Sequence, residues 1–427
     1  MACRIIGVLD NGIDGLTPYA LNSIKEADIV IGGTRTLELF KNTFLSSVIQ
    51  YDLTGQFTQI PEWITQAIDK KQQLVVLATG DPLCHGIAKY LIDKLGADIC
   101  EVIPNVSTIQ LACARLGIAW QEIKICSVHS RDADEWVRGA EPSHGLYNLL
   151  QQLKQHQIIA VFTSPENSPA RIARMLQIEN MASAFTISVV CNILQETESI
   201  IESLSIDEAA EKNFSELNVV ILQAKEKGEA PILFGLEDSS FYQRKPDKGL
   251  ITKREVRISS LASMQLRRDS IVWDIGAGSG SVGLEAAHLC SDGHVYAIEK
   301  NEGDFVNALK NQQKMKVTNY TLLHNKAPQG TEHWMDPDAI FVGGSGGELA
   351  ELITLGLQRL RRNGRLVMNF VTLENMTGAT QVLKELGAEW SFVQISVSRS
   401  QPILHMHRLA AENPVWIVTA QNKTEQV

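Results

Sequence analysis

Residues 271–287 read IVWDIGAGSGSVGLEAA: Asp274 precedes glycines at alternate positions, Gly276, Gly278 and Gly280, with Ala277 and Ser279 between them. An apolar run ending in an acid predicts a strand. The glycines predict a tight turn whose backbone lets a ligand come close, and a helix is expected from Ser281 onward. A second acid, Glu299, ends the next apolar run, one strand–loop–helix–strand unit later. A carboxylate at that point can accept hydrogen bonds from both ribose hydroxyls of a nucleoside cofactor. Gly278-x-Gly280-x-x-Gly283 also fits the dinucleotide fingerprint, so an NAD(P)-dependent reductase is the competing reading. Against it, a fixed negative charge at Asp274 repels a pyrophosphate but suits a sulfonium or an ammonium. The loop and its spacing point to S-adenosylmethionine.

Weaker signals lie elsewhere. The apolar run 74–78 leads into Thr79-Gly80-Asp81-Pro82-Leu83, and the run 99–103 leads into a loop where Ser107 and Thr108 open a helix of small residues. Both loops are expected at the carboxyl ends of parallel strands, where α/β sheets place ligands. The same residues are also ordinary turn and cap formers. Arg131 follows the run 123–128 and is a candidate carboxylate binder. Lys253, Arg254 and Arg257 form a basic cluster suited to substrate carboxylates, although solvated helix charge is an equal alternative. The run 343–347, with Ser345 among four glycines, would let a flat ligand approach the backbone. Glu374, after the fifth strand of the second half, is a candidate catalytic proton handler. His405 and His407 have no further ligands at metal spacing, and no metal is expected.

These residues need elements to hold them. Short apolar runs alternate with amphipathic stretches, the βαβ signature. Strands are predicted over 4–8, 29–32, 74–78, 99–103, 123–128, 158–163, 185–190 and 219–223 in the first half. In the second half they are predicted over 271–275, 294–299, 320–324, 339–342, 365–370, 390–396 and 415–419. The charged run at 225–229 marks a linker. Two domains follow, 1–225 and 231–427, the first itself two α/β lobes divided near 117–122. The length of 427 residues suits two or three domains, and 44% hydrophobic with 21% charged residues is a globular composition. A net charge of −10 argues against a nucleic-acid partner. No apolar run is long enough for a membrane span, and the amino terminus lacks the pattern of a signal peptide. Seven scattered cysteines without a CxxC pair read as free thiols in a reducing cytoplasm.

On these residues the chain resembles two families. The first half is similar to the tetrapyrrole (corrin and porphyrin) methylases, through IGGTR at 31–35, VVLATGDPLCHG at 75–86, VIPNVSTIQLACARLGIAW at 102–120 and VFTSPENSPARIA at 161–173. Within that family it is closest in character to members that methylate precorrin at carbon 5. The second half resembles the small decarboxylating precorrin methyltransferases acting at carbon 15, through GLITKREVR at 249–257, the 272–287 loop, VYAIEKN at 295–301, Ala327-Pro328 and PDAIFVGGSGG at 337–347. Two departures stand out. The first glycine loop keeps only Gly7 and Gly12 of a G-x-G-P-G pattern, and Lys326 replaces an acid near the expected adenine pocket.

The resemblance implies a two-lobed tetrapyrrole methylase fold followed by a Rossmann-like class I methyltransferase domain. It implies S-adenosylmethionine-dependent methylation of a precorrin-6 intermediate at C5 and C15, with loss of an acetate carboxyl, in cobalamin biosynthesis. Cobalt-precorrin substrates are the alternative. It places Gly80, Asp81, Pro82, Leu83, Ser107 and Thr108 around one cofactor, and Thr252, Gly276 to Gly280, Glu299 and Ala327 around another. It also implies a small-molecule tetrapyrrole as substrate and a homo-oligomer.

Overall fold

Each half of the chain builds its sheets from short runs of aliphatic residues that are apolar on both faces, as parallel strands covered by helices require. The structure is a computed structural model and describes residues 3–129, 134–226, 232–244 and 251–423. It divides into two units, one of Met1–Glu135 with Gln152–Lys227, the other of Trp136–Gln151 with Gly228–Val427.

The first unit holds two sheets. Strands β1 (Cys3–Val8), β2 (Ile29–Gly32), β3 (Ile49–Asp52), β4 (Leu74–Thr79) and β5 (Cys100–Ile103) are all parallel, in the order β3-β2-β4-β1-β5. Strands β6 (Lys124–Ser127), β7 (Ile158–Phe162), β8 (Phe185–Cys191), β9 (Ser199–Ser205) and β10 (Asn218–Ala224) form a mixed sheet in the order β6-β7-β10-β8-β9. This is the expected two-lobed layout. The lobes divide earlier than 117–122, because helix Thr108–Leu116 packs Ile109, Ala112 and Cys113 onto the second sheet.

The second unit is one doubly wound sheet. Strands β11 (Ile271–Ile275), β12 (His294–Glu299), β13 (Tyr320–His324), β14 (Ala339–Val342) and β15 (Arg365–Phe370) run parallel. Strand β19 (Val415–Gln421) pairs antiparallel between β15 and β16 (Glu389–Ile395), giving the order β13-β12-β11-β14-β15-β19-β16. Side chains alternate across the sheet. Ile271, Trp273 and Ile275 face one core with helices Leu349–Arg359 and Leu373–Glu385, while Val272 faces the other with helices Arg254–Met264 and Ser281–Leu289. The hairpin of β17 (Ser398–Ile403) and β18 (Met406–Ala411) stands as a separate two-stranded sheet.

Strands β3, β9, β17 and β18 are not anticipated from the sequence. All four are edge or isolated strands with at least half of their residues exposed, so no apolar run marks them. None of the helices among the described residues is long and apolar enough to cross a membrane.

The first unit closes the carboxyl edge of its parallel sheet on backbone. A Cβ at Gly7 would lie 2.2 Å from the Gly80 carbonyl oxygen and 2.7 Å from the Asn105 amide nitrogen. Gly7→Ala is expected to destabilise the chain by about 1–3 kcal/mol, the usual cost of overpacking, and to lower the thermal midpoint in a calorimetric scan.

Candidate functional site

Strands β11 to β15 all end on one edge, and the loops leaving that edge include the glycine turn after β11. Gly276 and Ala277 donate their N–H groups to the Ile298 carbonyl, both at 3.0 Å, which ties the turn after β11 to β12. Gly276 has φ of 72°, and a Cβ there would stand 2.4 Å from the Gly344 carbonyl oxygen. Only glycine lets the turn after β11 touch the loop after β14. The Gly278 N–H donates to Glu299 Oε2 at 2.7 Å, and the Asn301 N–H donates to Oε1 at 2.7 Å. Glu299 is thereby aimed with both oxygens fixed, each keeping a lone pair for a hydroxyl. Gly280 is the left-handed N-cap of helix Ser281–Leu289.

Asp274 lies beneath this turn. One carboxylate oxygen, Oδ2, accepts the Gly283 N–H at 3.0 Å. The other, Oδ1, is buried without a hydrogen-bond partner, as are the Ser279 and Tyr320 hydroxyls. Burial pushes the Asp274 carboxyl up to about 7, and Glu299 adds to the rise, against the opposing Gly283 hydrogen bond. Tyr320 is buried beside both acids, which keeps its phenol neutral. Gly283 must be glycine for a reason the fingerprint does not state: a Cβ there would lie 2.5 Å from Asp274 Oδ2 and 2.8 Å from the Tyr320 ring.

The basic cluster separates on folding. Arg257 has no exposed surface. Its Nε donates to Glu285 Oε1 at 2.9 Å, and Nη1 donates to Asp238 Oδ1 at 3.1 Å and the Thr252 carbonyl at 2.6 Å, while Nη2 reaches the Leu236 carbonyl. Arg257 is therefore a structural residue and not a substrate binder. Arg254 is paired with Glu237 and lies 3.6 Å from Glu255. Lys253 is the half-buried N-cap residue of helix Arg254–Met264. Arg131 lies outside the described residues.

Other expected site residues lie in or near the loops that follow the parallel strands. Ser345 lies in the loop after β14, where its carbonyl accepts the Glu348 N–H at 3.1 Å. Thr252 is half-buried just ahead of helix Arg254–Met264. Ala327 follows β13 and packs on the sheet core. Its neighbour Lys326 is ion-paired with Glu348 at 2.6 Å. Glu374 is exposed in the first turn of helix Leu373–Glu385, after β15. His407 bonds Ser400 Oγ at 2.8 Å, and no metal-binding cluster exists among the described residues.

In the first unit the expected residues also meet. Gly80 has φ of 71°, and a Cβ there would stand 3.3 Å from the Thr108 nitrogen and 3.4 Å from Ser107 Cα. Asp81 accepts the Leu83 N–H at 2.9 Å, closing a turn that runs through Pro82 and leaves Leu83 exposed. Ser107 forms a capping box with Gln110. In the altered first loop, Leu9 is buried, and Asp10 is held by Arg35 and by Gln195 at 2.6 Å. A cavity of about 570 Å³ opens within this unit between residues 53–58 and His129 with Ser164–Glu166.

Two residues that shape the second site escape the sequence reading, Glu285 and Tyr320. Glu285 had a signal, a single acid in an otherwise apolar helix turn. Tyr320 had none, since an aromatic at the start of a strand is usual.

The fold and the glycine–carboxylate turn define a Rossmann-like methyltransferase module that follows a two-lobed α/β module along the chain. A tetrapyrrole (corrin/porphyrin) methylase family matches residues 3–209, and a precorrin methyltransferase domain family matches residues 244–421. A decarboxylating precorrin-6Y C(5,15)-methyltransferase of Sinorhizobium sp. is 29% identical over 93% of this chain and 91% of its own. Two C(15)-methyltransferases (decarboxylating) match part of the chain: a probable cobalt-precorrin-6B enzyme of Pyrobaculum calidifontis, 37% identical over 40% of this chain and 88% of its own, and a cobalt-precorrin-6B enzyme of Salmonella typhimurium, 35% identical over 42% and 92%. The chain belongs to the decarboxylating precorrin methyltransferase family, with the two-module layout of its C5,15 members.

Removing one partner of a buried ion pair leaves an uncompensated charge. Glu285→Ala is expected to cost about 3–5 kcal/mol, read as a fall in the urea midpoint, because Arg257 and the Gly235 and Leu236 amides lose a common acceptor.

Proposed function

We propose that this chain methylates a precorrin-6 intermediate at C5 and C15 with S-adenosylmethionine, and removes an acetate carboxyl, within cobalamin biosynthesis. The 1–225 module acts at C5, and the 231–427 module acts at C15 and decarboxylates. The observation that carries this reading is the turn from Asp274 to Gly280 facing Glu299. Its glycines admit a ligand to the backbone, the buried and unpartnered Asp274 Oδ1 suits a cation, and the fixed Glu299 oxygens suit ribose hydroxyls. A pyrophosphate would meet the Asp274 charge, which sets the reductase reading behind this one.

The bound cofactor supplies a methyl group already activated on a sulfonium. What remains for the chain is alignment and exclusion of water. Thr252, Ala277, Ser279 and Ala327 flank the cofactor. Lys253 and Arg254 draw substrate carboxylates to the ligand edge, and the glycines around Ser345 let a flat macrocycle lie against backbone. The Glu374 carboxyl handles a proton of the macrocycle as the acetate carboxyl leaves as carbon dioxide and its electron pair enters the ring. In the first unit Gly80, Asp81, Pro82, Leu83, Ser107 and Thr108 hold the second cofactor. We place Arg131 among the carboxylate binders there, and the protein in the cytoplasm as a homo-oligomer.

A cobalt-bearing substrate is the second reading. It is favoured by the identity of part of the chain to relatives named for cobalt-precorrin-6B. Turnover of metal-free and cobalt forms side by side decides between them.

Incubated with a precorrin-6 substrate and S-adenosylmethionine, the purified chain is expected to yield a product with two added methyls and one carbon dioxide lost, read by mass spectrometry. Absence of any methyl gain on either substrate form overturns the reading. Gly276→Ala, which drives a Cβ into the Gly344 backbone, is expected to stop the C15 methylation and decarboxylation and leave a singly methylated product.

The Asp274 carboxyl gives a pH signature. Burial raises its value to about 7. A cationic cofactor favours the ionised form, so binding releases a proton below that value. Affinity of the second module is expected to rise as pH increases through about 7 and then to level off. Asp274→Asn flattens the profile in calorimetric titration.

A further inference from the structure

A substrate rich in carboxylates needs a cation close to the methyl donor, and the first unit supplies few. The segments that leave the carboxyl ends of its five parallel strands are residues 9–17, 33, 53–59, 80–86 and 104–107. They contain no lysine or arginine, and they carry the acids Asp10, Asp14 and Asp81. Arg35 comes directly after β2, in the first turn of helix Thr34–Phe40, and its side chain is 43% exposed.

The Arg35 guanidinium is set among the ends of three adjacent strands, β2, β4 and β1. Its Nη1 donates to Asp10 Oδ1 in the loop after β1, and its Nη2 lies 3.4 Å from Thr79 Oγ1 at the end of β4. Thr79 precedes Gly80, the residue that meets Ser107 and Thr108. On the other side Thr34 fixes the helix start. Its N–H donates to Thr54 Oγ1 at 3.3 Å, and its hydroxyl donates to Asp52 Oδ2 at 2.6 Å. Thr54 lines the cavity of about 570 Å³. Arg35 thus adjoins the expected cofactor loop through Thr79 and the cavity wall through Thr34.

Asp10 is the acid of the altered first loop. Its second oxygen, Oδ2, accepts the Gln195 side-chain amide at 2.6 Å, from the loop between β8 and β9. Leu9 is buried, and its carbonyl accepts the Gly12 N–H at 3.0 Å, so the loop presents Asp10 from a fixed base. The pair with Arg35 is half-solvated, with side chains 43% and 17% exposed, and such pairs hold weakly. Arg115 in the same unit is a contrast. Its Nε and Nη2 reach both oxygens of Glu198, which also accepts the Leu194 N–H at 2.6 Å. That bidentate pair is structural. Arg35 puts one nitrogen on Asp10, which leaves its fork available to a further carboxylate.

We propose that Arg35 binds a carboxylate of the tetrapyrrole in the first unit, and that Asp10 holds its place until the substrate arrives. On binding, one carboxylate replaces another on the guanidinium, while Asp10 keeps the Gln195 amide as its donor. The exchange selects for charge, because a neutral side chain does not compete with Asp10 for Arg35. This inference deepens the C5 methylation proposed above and rests on it.

Steady-state kinetics of C5 methylation on the full chain test it, with methyl gain read by mass spectrometry. Arg35→Gln is expected to raise KM for the tetrapyrrole at least about tenfold, with kcat and the KM for S-adenosylmethionine within about twofold. Arg35→Lys keeps the charge, loses the fork and is expected to fall between the two. Asp10→Asn removes the competing charge and is expected to lower the tetrapyrrole KM about threefold. A purely structural pair would move both variants the same way, with kcat and the thermal midpoint falling together. An unchanged KM in Arg35→Gln, or a KM in Asp10→Asn that is unchanged or raised, overturns the proposal and leaves the C5 reading standing. A wild-type chain that adds no methyl at C5 overturns both.

Discussion

A carboxylate buried at the end of β11 is the constraint around which the second module is arranged. Asp274 has one oxygen held by the first turn of helix Ser281–Leu289 and the other unpartnered. Its folded value is raised above the ordinary carboxylate range, so its ionised form costs stability, and that cost builds up as pH rises from the ordinary carboxylate range to about 7 and then levels off. A bound cation relieves it. The site is thus poised for a positively charged ligand, and some of the module's stability is held back for binding. The glycines follow from the same constraint. Gly283 makes room for the carboxylate and the Tyr320 ring, and Gly276 lets the Gly344 backbone close over the turn.

The two modules share this solution without sharing a fold. In the first, Gly7 brings β1 against the Gly80 carbonyl and the Asn105 amide. In the second, Gly276 meets Gly344. In both, loops from separate strands meet backbone to backbone at the carboxyl edge. Such a floor is rigid, because any side chain there would collide with main chain that cannot move aside. A rigid floor matters for methyl transfer, where alignment of donor and acceptor does most of the catalytic work.

Charge is distributed by burial more than by number. The chain carries a net charge of −10 and is assigned an anionic substrate. Of the three basic residues grouped at 253–257, Arg257 is sealed by Glu285, Asp238 and two carbonyls, while Asp238 also accepts from Arg399 at 2.9 Å. That network pins the 232–244 segment to the helices flanking the cofactor turn. Lys253 and Arg254 stay half-buried, and Arg254 is paired with Glu237.

The sequence by itself determined the class of each module, the strands that carry the sites and the cofactor turn. Those features are local: a strand ending in an acid, a glycine turn and a helix start lie within a single run of residues, and both faces of β11 are apolar. Edge strands such as β9 and β17 were not legible, since exposed strands carry no apolar run. Arg257 and Arg254 look alike in sequence, and only tertiary structure decided that one is sealed and the other stands at the surface. The acids that capture Arg257 come from residues 238 and 285, far from it along the chain. Burial and long-range pairing depend on which surfaces meet, and a linear pattern of residue types does not encode that on its own.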